Sequence, residues 1–402
     1  MAAAAAAAER RGLPVDLLIE IIRRVDAAVT IVRCAATCKP LRRLIAGLRA
    51  VDTGRFYPYL LRGVSYASPD CGGCGTVHAV QPPSGGCLDL DSELLRSSEP
   101  VSSRDGLLVL WRGDGDGDGD GEPSLRVCNT ITGAVTSLPC MDVEGKWCSG
   151  GIYRPVLFAV AGAGRAFKLL VMDVCMRAKV FSSRAGKWGP IRVVQPPPRR
   201  GSWCVIKEAA HTAPAVIGRT AHWLCSSMRE PAAAAGGGHG DVFILALHAN
   251  AAQATAIDPP PCCLAGAPDG SCALAATAGR ELIVVAAEAA AISTWTLSPE
   301  AEGPTWSRQV VISRREIGKQ LAAAGMGGGG GVAWHVEAFG ESSGALLLRV
   351  ERAGLVQLSL PRKEAVLLRA ASAKGGWGKR VFARAWLHER NLASLLRDMK
   401  LF

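Results

Sequence analysis

The sequence predicts a mainly β protein: a small α-helical module in front, a β-propeller-like ring behind it, and a short closing helix at the C-terminus. Three observations carry this. Between residues 13 and 45 apolar side chains recur every three or four positions, the period of a helix face. Beyond residue 55 that period gives way to short apolar runs bounded by Gly, Pro, Asp and Ser, as strands joined by turns require. The runs form similar units starting near residues 125, 168, 241, 281 and 345. Two of the gaps are about 40 residues, the spacing of a four-stranded propeller blade.

Size and composition set the bounds. The chain has 402 residues, 49% of them apolar, so it can bury a large core. At about 100–200 residues per domain, the length suits two or three units, or one large β fold. The organisation expected is a leader (1–11), a helical module (12–50), a propeller-like domain (56–385) and a C-terminal helix packed on it (386–402), with the linker near 50–56.

In the leader, MAAAAAAAERR, the alanines precede the charges, the reverse of a secretory signal. It reads as low-complexity chain without fixed structure, an organelle-targeting peptide being the alternative. The longest apolar runs, such as ELIVVAAEAAAIS, contain acids and fall short of the ~20 residues a membrane span needs. No membrane helix is expected. Net charge is +11, but the basic residues come as pairs, such as Arg42 with Arg43 and Arg199 with Arg200. That is solvated surface rather than a nucleic-acid-binding face. The fourteen cysteines read as scattered, mostly buried thiols of a cytoplasmic or nuclear protein rather than a disulfide framework.

The front segment reads as three helices. Pro14 suits a first turn, where its missing N–H is no loss. Leu17, Leu18, Ile21, Ile22 and Val25 then share one face, with Asp16 and Glu20 early and Arg23 and Arg24 late, as the helix dipole favours. A second helix is expected from Ala28 to Thr37 with Val29, Val32 and Ala36 inward. A third opens at Pro40 and repeats the pattern at Leu41, Leu44, Ile45 and Leu48. So small a unit is marginal alone. Patterning leaves two uses for its apolar surplus open: packing on the rest of the chain, or docking a helical partner.

Leu13-Pro14, Asp16-Leu17-Leu18, Glu20-Ile21, then Arg33-Cys34-Ala35 and Cys38-Lys39 with Leu41-Arg42 and Leu44-Ile45, resemble an F-box through all three helices. The resemblance implies binding to the Skp-type adaptor of a cullin-based ubiquitin ligase. It points to Leu13, Pro14, Leu17, Ile21, Val32, Cys38 and Leu41 as adaptor-docking or module-core positions. Leu41 stands where many F-boxes carry an aromatic, which implies a weaker adaptor contact.

Behind the module, SLRVCNTITGAVTSLP (124–139) reads as strand, turn, strand. The segments 167–190, 241–260, 281–309 and 345–369 repeat the idea, and a first unit is expected within 56–111. A single blade cannot cover its own apolar faces, whereas a closed ring lets neighbours bury them. Six or seven blades are expected, a pair of β-sandwiches being the rival. The phrases RFYPYLLRGVSY, VFSSRAGKWGP and GRTAHWLCSS, with the ending LASLLRDMKLF, are similar to the propeller-type domain that follows the F-box in many plant, especially grass, proteins. In that ending Leu392, Leu395, Leu396 and Met399 share a helical face. The Gly-rich stretches 112–122, 232–240 and 325–331 read as loops.

Four tempting motifs fail on their context. A calcium loop starting at Asp114 would need Glu at its twelfth position, where Leu125 stands. Cys71, Cys74, His78 and Cys87 offer one close pair but no known zinc spacing. Gly340-Glu341-Ser342-Ser343-Gly344 matches G-x-S-x-G, but a strand follows it rather than a helix. His388-Glu389 lacks a second histidine. The tryptophans, from Trp111 to Trp377, are read as packing between blades rather than as partner anchors.

The expected protein is therefore non-enzymatic, with no catalytic residue, metal or cofactor. Its partners would be the Skp-type adaptor, through it a cullin, and an unknown target, with no nucleic acid and no membrane. The rival functions are an F-box scaffold without a ubiquitination role, and a propeller module that binds a ligand or acts as an enzyme.

Overall fold

A computed structural model describes residues 14–24, 28–37, 39–48, 56, 58–68, 76–80, 98–112, 124–130, 134–140, 155–159, 166–173, 175–197, 204–205, 214–227, 242–263, 271–277, 281–300, 303–323, 333–351, 353–370 and 385–389. The front segment forms α1 (Val15–Arg24), α2 (Ala28–Thr37) and α3 (Lys39–Leu48). The Pro14 carbonyl accepts the Leu18 N–H at 3.1 Å and so closes the first turn of α1. The third helix touches both others. Ile31, Ala35 and Ile45 make the buried centre. The inward face of α2 thus runs through Ile31 and Ala35. Ala36, expected inward, is half-buried, and the side chains of Val29 and Val32 lie outside the described residues.

The strands follow in chain order: β1 (Leu61–Ser68) and β2 (Thr76–Val80); β3 (Glu99–Arg104), β4 (Leu107–Arg112), β5 (Ser124–Asn129) and β6 (Val135–Ser137); β7 (Val156–Ala159), β8 (Phe167–Met172), β9 (Arg177–Ser182), β10 (Lys187–Trp188) and β11 (Arg192–Val193). Next come β12 (Cys204–Val205), β13 (Ala215–Ile217), β14 (Thr220–Ser227), β15 (Val242–His248) and β16 (Thr255–Ile257), then β17 (Cys272–Ala276), β18 (Leu282–Ala287), β19 (Ala291–Glu300) and β20 (Gly303–Ser313). After α4 (Arg314–Ala323) the chain adds β21 (Trp334–Phe339), β22 (Ala345–Val350), β23 (Gly354–Ser359), β24 (Glu364–Ala370) and β25 (Ala385–Glu389).

Two of the sheets beginning at β3, β7, β12, β17 and β21 carry an extra short strand; otherwise each is a four-stranded antiparallel meander in chain order. In the second, β10 and β11 both pair with β9, splitting the outer edge; in the third, β12 and β13 both pair with β14, splitting the inner one. A further sheet has three strands, ordered β2-β1-β25, so the last described strand pairs beside the first. This ties the two ends of the described β region together.

The turns obey local chemistry. Asp105 and Gly106 both have positive φ (52° and 79°), as the tight β3–β4 hairpin requires. Between β8 and β9 the Asp173 carboxylate, fully buried, accepts the N–H groups of Cys175 (3.0 Å) and Arg177 (2.8 Å) and pairs with the Arg177 side chain.

Neighbouring sheets share cores. Leu125 and Val127 meet Leu157 and Leu169 across the first seam. Val156, Leu170 and Met172 meet Trp223, Phe243 and Leu245 across the second. Ile244 meets Cys272 and Val284 across the third. Ile283 and Val285 meet Val336, Leu346 and Leu348 across the fourth, and Leu347 with Leu355 meets Val64 and Leu387 across the fifth. Contact between β25 and β3 closes the ring. Fully burying such a side chain is worth about 1.5–3 kcal/mol, so the seams dominate the stability of the ring.

Two expectations about helices need correction. Residues 386–389, expected to begin a closing helix, lie in β25. Closure is by strand pairing, which satisfies an edge that a packed helix would leave open. The rest of that expected helix, from 390 on, lies outside the described residues, as do the leader 1–11 and the calcium-like loop from Asp114. Second, α4 was not expected inside the β region. Ser313 Oγ caps the Glu316 N–H at 3.1 Å, and Ile317 and Leu321, one turn apart, plug the fourth seam.

Candidate functional site: a charged channel and an exposed helix face

Six strands, β3, β7, β13, β17, β21 and β25, converge on one cavity of about 80 Å³. It is the ring's central channel. A water needs only some 10–15 Å³ of such space, whereas small-molecule pockets run to about 300–1,000 Å³. The channel therefore suits a few waters, a small ion or a single side chain.

Its chemistry is concentrated at one end. Arg104 closes β3, just before the Asp105-Gly106 turn. Its Nη1 donates to Glu341 Oε1 at 3.1 Å, while Nη2 lies 3.0 Å from Glu341 Oε2 and donates to the Val216 carbonyl at 3.2 Å. One guanidinium thus links the first, third and fifth four-stranded units. Asp105 adds a second carboxylate 3.8 Å from Arg104 Nε. Burial pushes Glu341 up, Arg104 opposes that, and Asp105 and Glu389 add to it; the outcome is a pKa of about 7. Burial works against the Arg104 charge, but Glu341 and Asp105 outweigh it and its pKa rises.

Glu389 ends β25 and sits in a cradle made by the turn 340–344. Its carboxylate accepts the N–H groups of Ser342 (3.1 Å) and Ser343 (2.8 Å) and a short bond from the Ser343 hydroxyl. A Cβ on Gly340 would lie 2.2 Å from Glu389 Oε1. One on Gly344, whose φ is +66°, would lie 2.5 Å from the Phe56 ring. The G-x-S-x-G pattern is therefore a hairpin turn that holds a carboxylate, and its glycines are there for space and for φ. Beside it, His388 Nε2 and Ser65 Oγ are 2.6 Å apart with both residues fully buried. That pair pins β25 to β1. Burial lowers His388 to about 4, which keeps the ring neutral.

The helix-face residues show a different environment. Leu17 and Ile21, four apart on α1, are 51% and 49% exposed. Pro14 is exposed, and Leu41 is half-buried on α3. Leu13 and Cys38 lie outside the described residues, and Val32 lies on α2 with its side chain undescribed. Of the suggested zinc set, only His78, on β2, falls within them.

The tryptophans mainly pack. Trp223, Trp334 and Trp386 are buried, and Trp111 and Trp188 flank the first seam. Trp188 Nε1 also donates to the Pro139 carbonyl at 2.9 Å, tying the second unit to the first.

Reading by motif missed Arg104, Asp105 and Glu341. Glu341 is 237 residues from Arg104 in sequence, and only closing the ring brings it to the other two. The Asp105-Gly106 hairpin signal marks where one of them would emerge.

A closed ring of antiparallel meanders around a narrow channel defines a β-propeller-like protein. The chain belongs to the family described as Domain of unknown function (DUF7595), matched over residues 63–402. The match begins within β1, so the three front helices fall outside it. No curated protein matches. Among solved structures, a puromycin hydrolase mutant complexed with PGG is 12% identical at a TM-score of 0.40, covering 68% of this chain and 39% of that one. Apo AztD from Citrobacter koseri is 12% identical at a TM-score of 0.35, covering 79% of this chain and 84% of that one. The chain spans about two fifths of the hydrolase it matches.

Proposed function

We propose that the protein is a substrate receptor of a Skp–cullin–F-box ubiquitin ligase, with the front helices gripping the Skp-type adaptor and the propeller gripping a target protein. The observation that carries this reading is the placement of Leu17 and Ile21. Two large apolar side chains, a turn apart on one helix of a small three-helix unit, stay about half exposed. Neighbours at that spacing make a continuous apolar strip, and such a strip suits a helical partner. On this reading the three-stranded sheet counts as a sixth blade, closed by the first and last strands of the described β region. The protein works in the cytoplasm or nucleus of a plant cell and performs no bond chemistry. Holding a target beside a loaded conjugating enzyme raises effective concentration, which suffices.

The test is a pull-down of the Skp-type adaptor by the full chain, with Leu17→Asp alongside. Wild type should capture the adaptor and the variant should not. Failure of wild type, or equal capture by both, sinks the reading. Depleting the protein then separates a receptor from a scaffold: a receptor's target lives longer, whereas a scaffold leaves half-lives unchanged.

A further inference from the structure

Cysteines in this chain are not all scattered. Cys262 and Cys263 are adjacent, at the end of the short 3-10 turn Pro261–Cys263 that follows β16, and Cys272 opens β17. The ring folds these two segments against one another at the third seam. Three sulfurs result that all lie within 4.8 Å of one another, with the Cys262 and Cys263 sulfurs 3.9 Å apart.

Both arms are fixed. Pro259, Pro260 and Pro261 stiffen the approach, and Cys263 N–H donates to the Pro260 carbonyl at 3.0 Å. Cys272 is held in register opposite Ala286, and the Ala287 N–H donates to the Ser271 carbonyl at 2.7 Å. Cys263 and Cys272 are buried, and Cys262 is half-buried, leaving one side of the trio open.

A packing role alone does not require sulfur at all three places, since the same seam is filled elsewhere by small apolar residues such as Ala215 and Ala286. Zinc–thiolate bonds are about 2.3 Å long, which puts two sulfurs of a tetrahedral site about 3.8 Å apart. The Cys262–Cys263 spacing already matches. Soft thiolate sets select zinc and copper(I) among common ions. The Glu288 carboxylate acts on Cys262 and Cys272 through its charge, but Arg308 pairs with that carboxylate and also acts on Cys262, so the case for the ion rests on the sulfur geometry.

We propose that Cys262, Cys263 and Cys272 bind one zinc ion, with the fourth position open to water on the Cys262 side. Binding exchanges three thiol protons for the ion: Zn²⁺ and three thiols give a Zn(thiolate)₃ unit of charge −1 and three protons. In the metal-free state the Cys272 thiol can donate to the Cys262 carbonyl, 3.3 Å away. The ion displaces that proton, so affinity rises with pH. This inference is independent of the proposed adaptor binding.

The experiment uses the full chain, purified reduced and offered Zn²⁺, then Co²⁺ as a spectroscopic stand-in. One zinc per chain is expected, with a cobalt–thiolate charge-transfer band whose intensity counts the sulfurs. Losing a residue that merely supports a metal ligand costs about 10–100-fold in affinity, so losing a ligand should cost more than ~100-fold. Cys262→Ser and Cys272→Ser should each show that loss, and Cys175→Ser, at an exposed cysteine outside the trio, none. Should Cys272→Ser fail to fold, the half-buried Cys262→Ser and the wild-type cobalt band decide the matter. No zinc uptake overturns the proposal. So does wild-type affinity in Cys262→Ser, which would move the ion to the group at 71, 74, 78 and 87. A disulfide within the trio, found after trapping thiols in intact cells, overturns it as well.

Discussion

The front helices and the ring use similar apolar residues in opposite ways. On β22, Leu346, Leu347 and Leu348 are consecutive and all fully buried, because each side of the strand meets a neighbouring sheet. On α1, Leu17 and Ile21 are about half exposed, because a three-helix unit has only one small interior, filled by Ile31, Ala35 and Ile45. The ring consumes its apolar surface in closing. The helical module has more than its own packing can cover. Exposed apolar residues do occur on the ring, among them Val135, Val310 and Val366, but they come singly from different sheets. Among the described residues the exception is Ile191 with Val193, at the split outer edge of the second unit. The difference assigns stability to the seams and leaves the strip on α1 exposed.

The strongest way to break the contrast is at a seam. Phe243→Ala empties a fully buried position in the core shared by the second and third units. Such truncations cost about 3–5 kcal/mol, and urea denaturation of the variant should show a loss of that size. A loss under about 1 kcal/mol would mean the seams do not hold the ring. Next in size is Gly340→Ala. Its Cβ would meet the Glu389 carboxylate at 2.2 Å, so the cradle must shift and the hydrogen bonds from the 342–343 turn loosen. Overpacking of this kind costs about 1–3 kcal/mol. Gly318→Ala, on α4 where nothing would touch the new Cβ, is the control and should not destabilise.

These two sites also show how far the sequence could be read. The five units starting near 125, 168, 241, 281 and 345 correspond to strands in the five sheets of four or more strands, each with a buried apolar run such as β15 or β18. The inner strands were not legible. β3, Glu99–Arg104, carries polar residues because it borders the channel, so it lacks the apolar run that announces a strand. β25 looks helical in the sequence because the apolar spacing past it fits a helical face, and nothing local says that its partner lies near residue 64. The same non-locality hid the Arg104–Glu341 pair and the thiol trio. The strand-to-strand context of the G-x-S-x-G motif is legible in the sequence and is what the structure has. Its use as a carboxylate cradle is not, because Glu389 lies far along the chain.

A subtler contrast lies within the ring and depends on pH. Glu341 has its pKa raised to about 7, so the folded protein keeps a proton that the unfolded chain releases near 4.5. Stability therefore falls as pH rises through that window. His388, lowered to about 4 from an ordinary 6.5, has the opposite sign: the unfolded chain takes up the proton first, and stability falls as pH drops. Glu341→Gln mimics the protonated carboxyl and removes the first slope alone. Relative to wild type, the variant should gain on the order of 1–3 kcal/mol between pH 4.5 and 7. Denaturation midpoints taken across that range check it, and parallel curves would refute the assignment.

The smallest expected effect is the most informative about the helices. Leu17→Ala removes apolar area that is already half in water. Surface changes of this sort usually stay within ±0.5 kcal/mol, and alanine's higher helix propensity offsets part of any loss. Thermal unfolding of the full chain should therefore barely move. Such a result would agree with the proposed adaptor contact, in which Leu17 serves a partner rather than its own fold. If Leu17→Ala instead costs 2 kcal/mol or more, on the scale of core truncations, the side chain is packing on its own chain. The strip on α1 would then belong to the interior of the protein rather than to a partner.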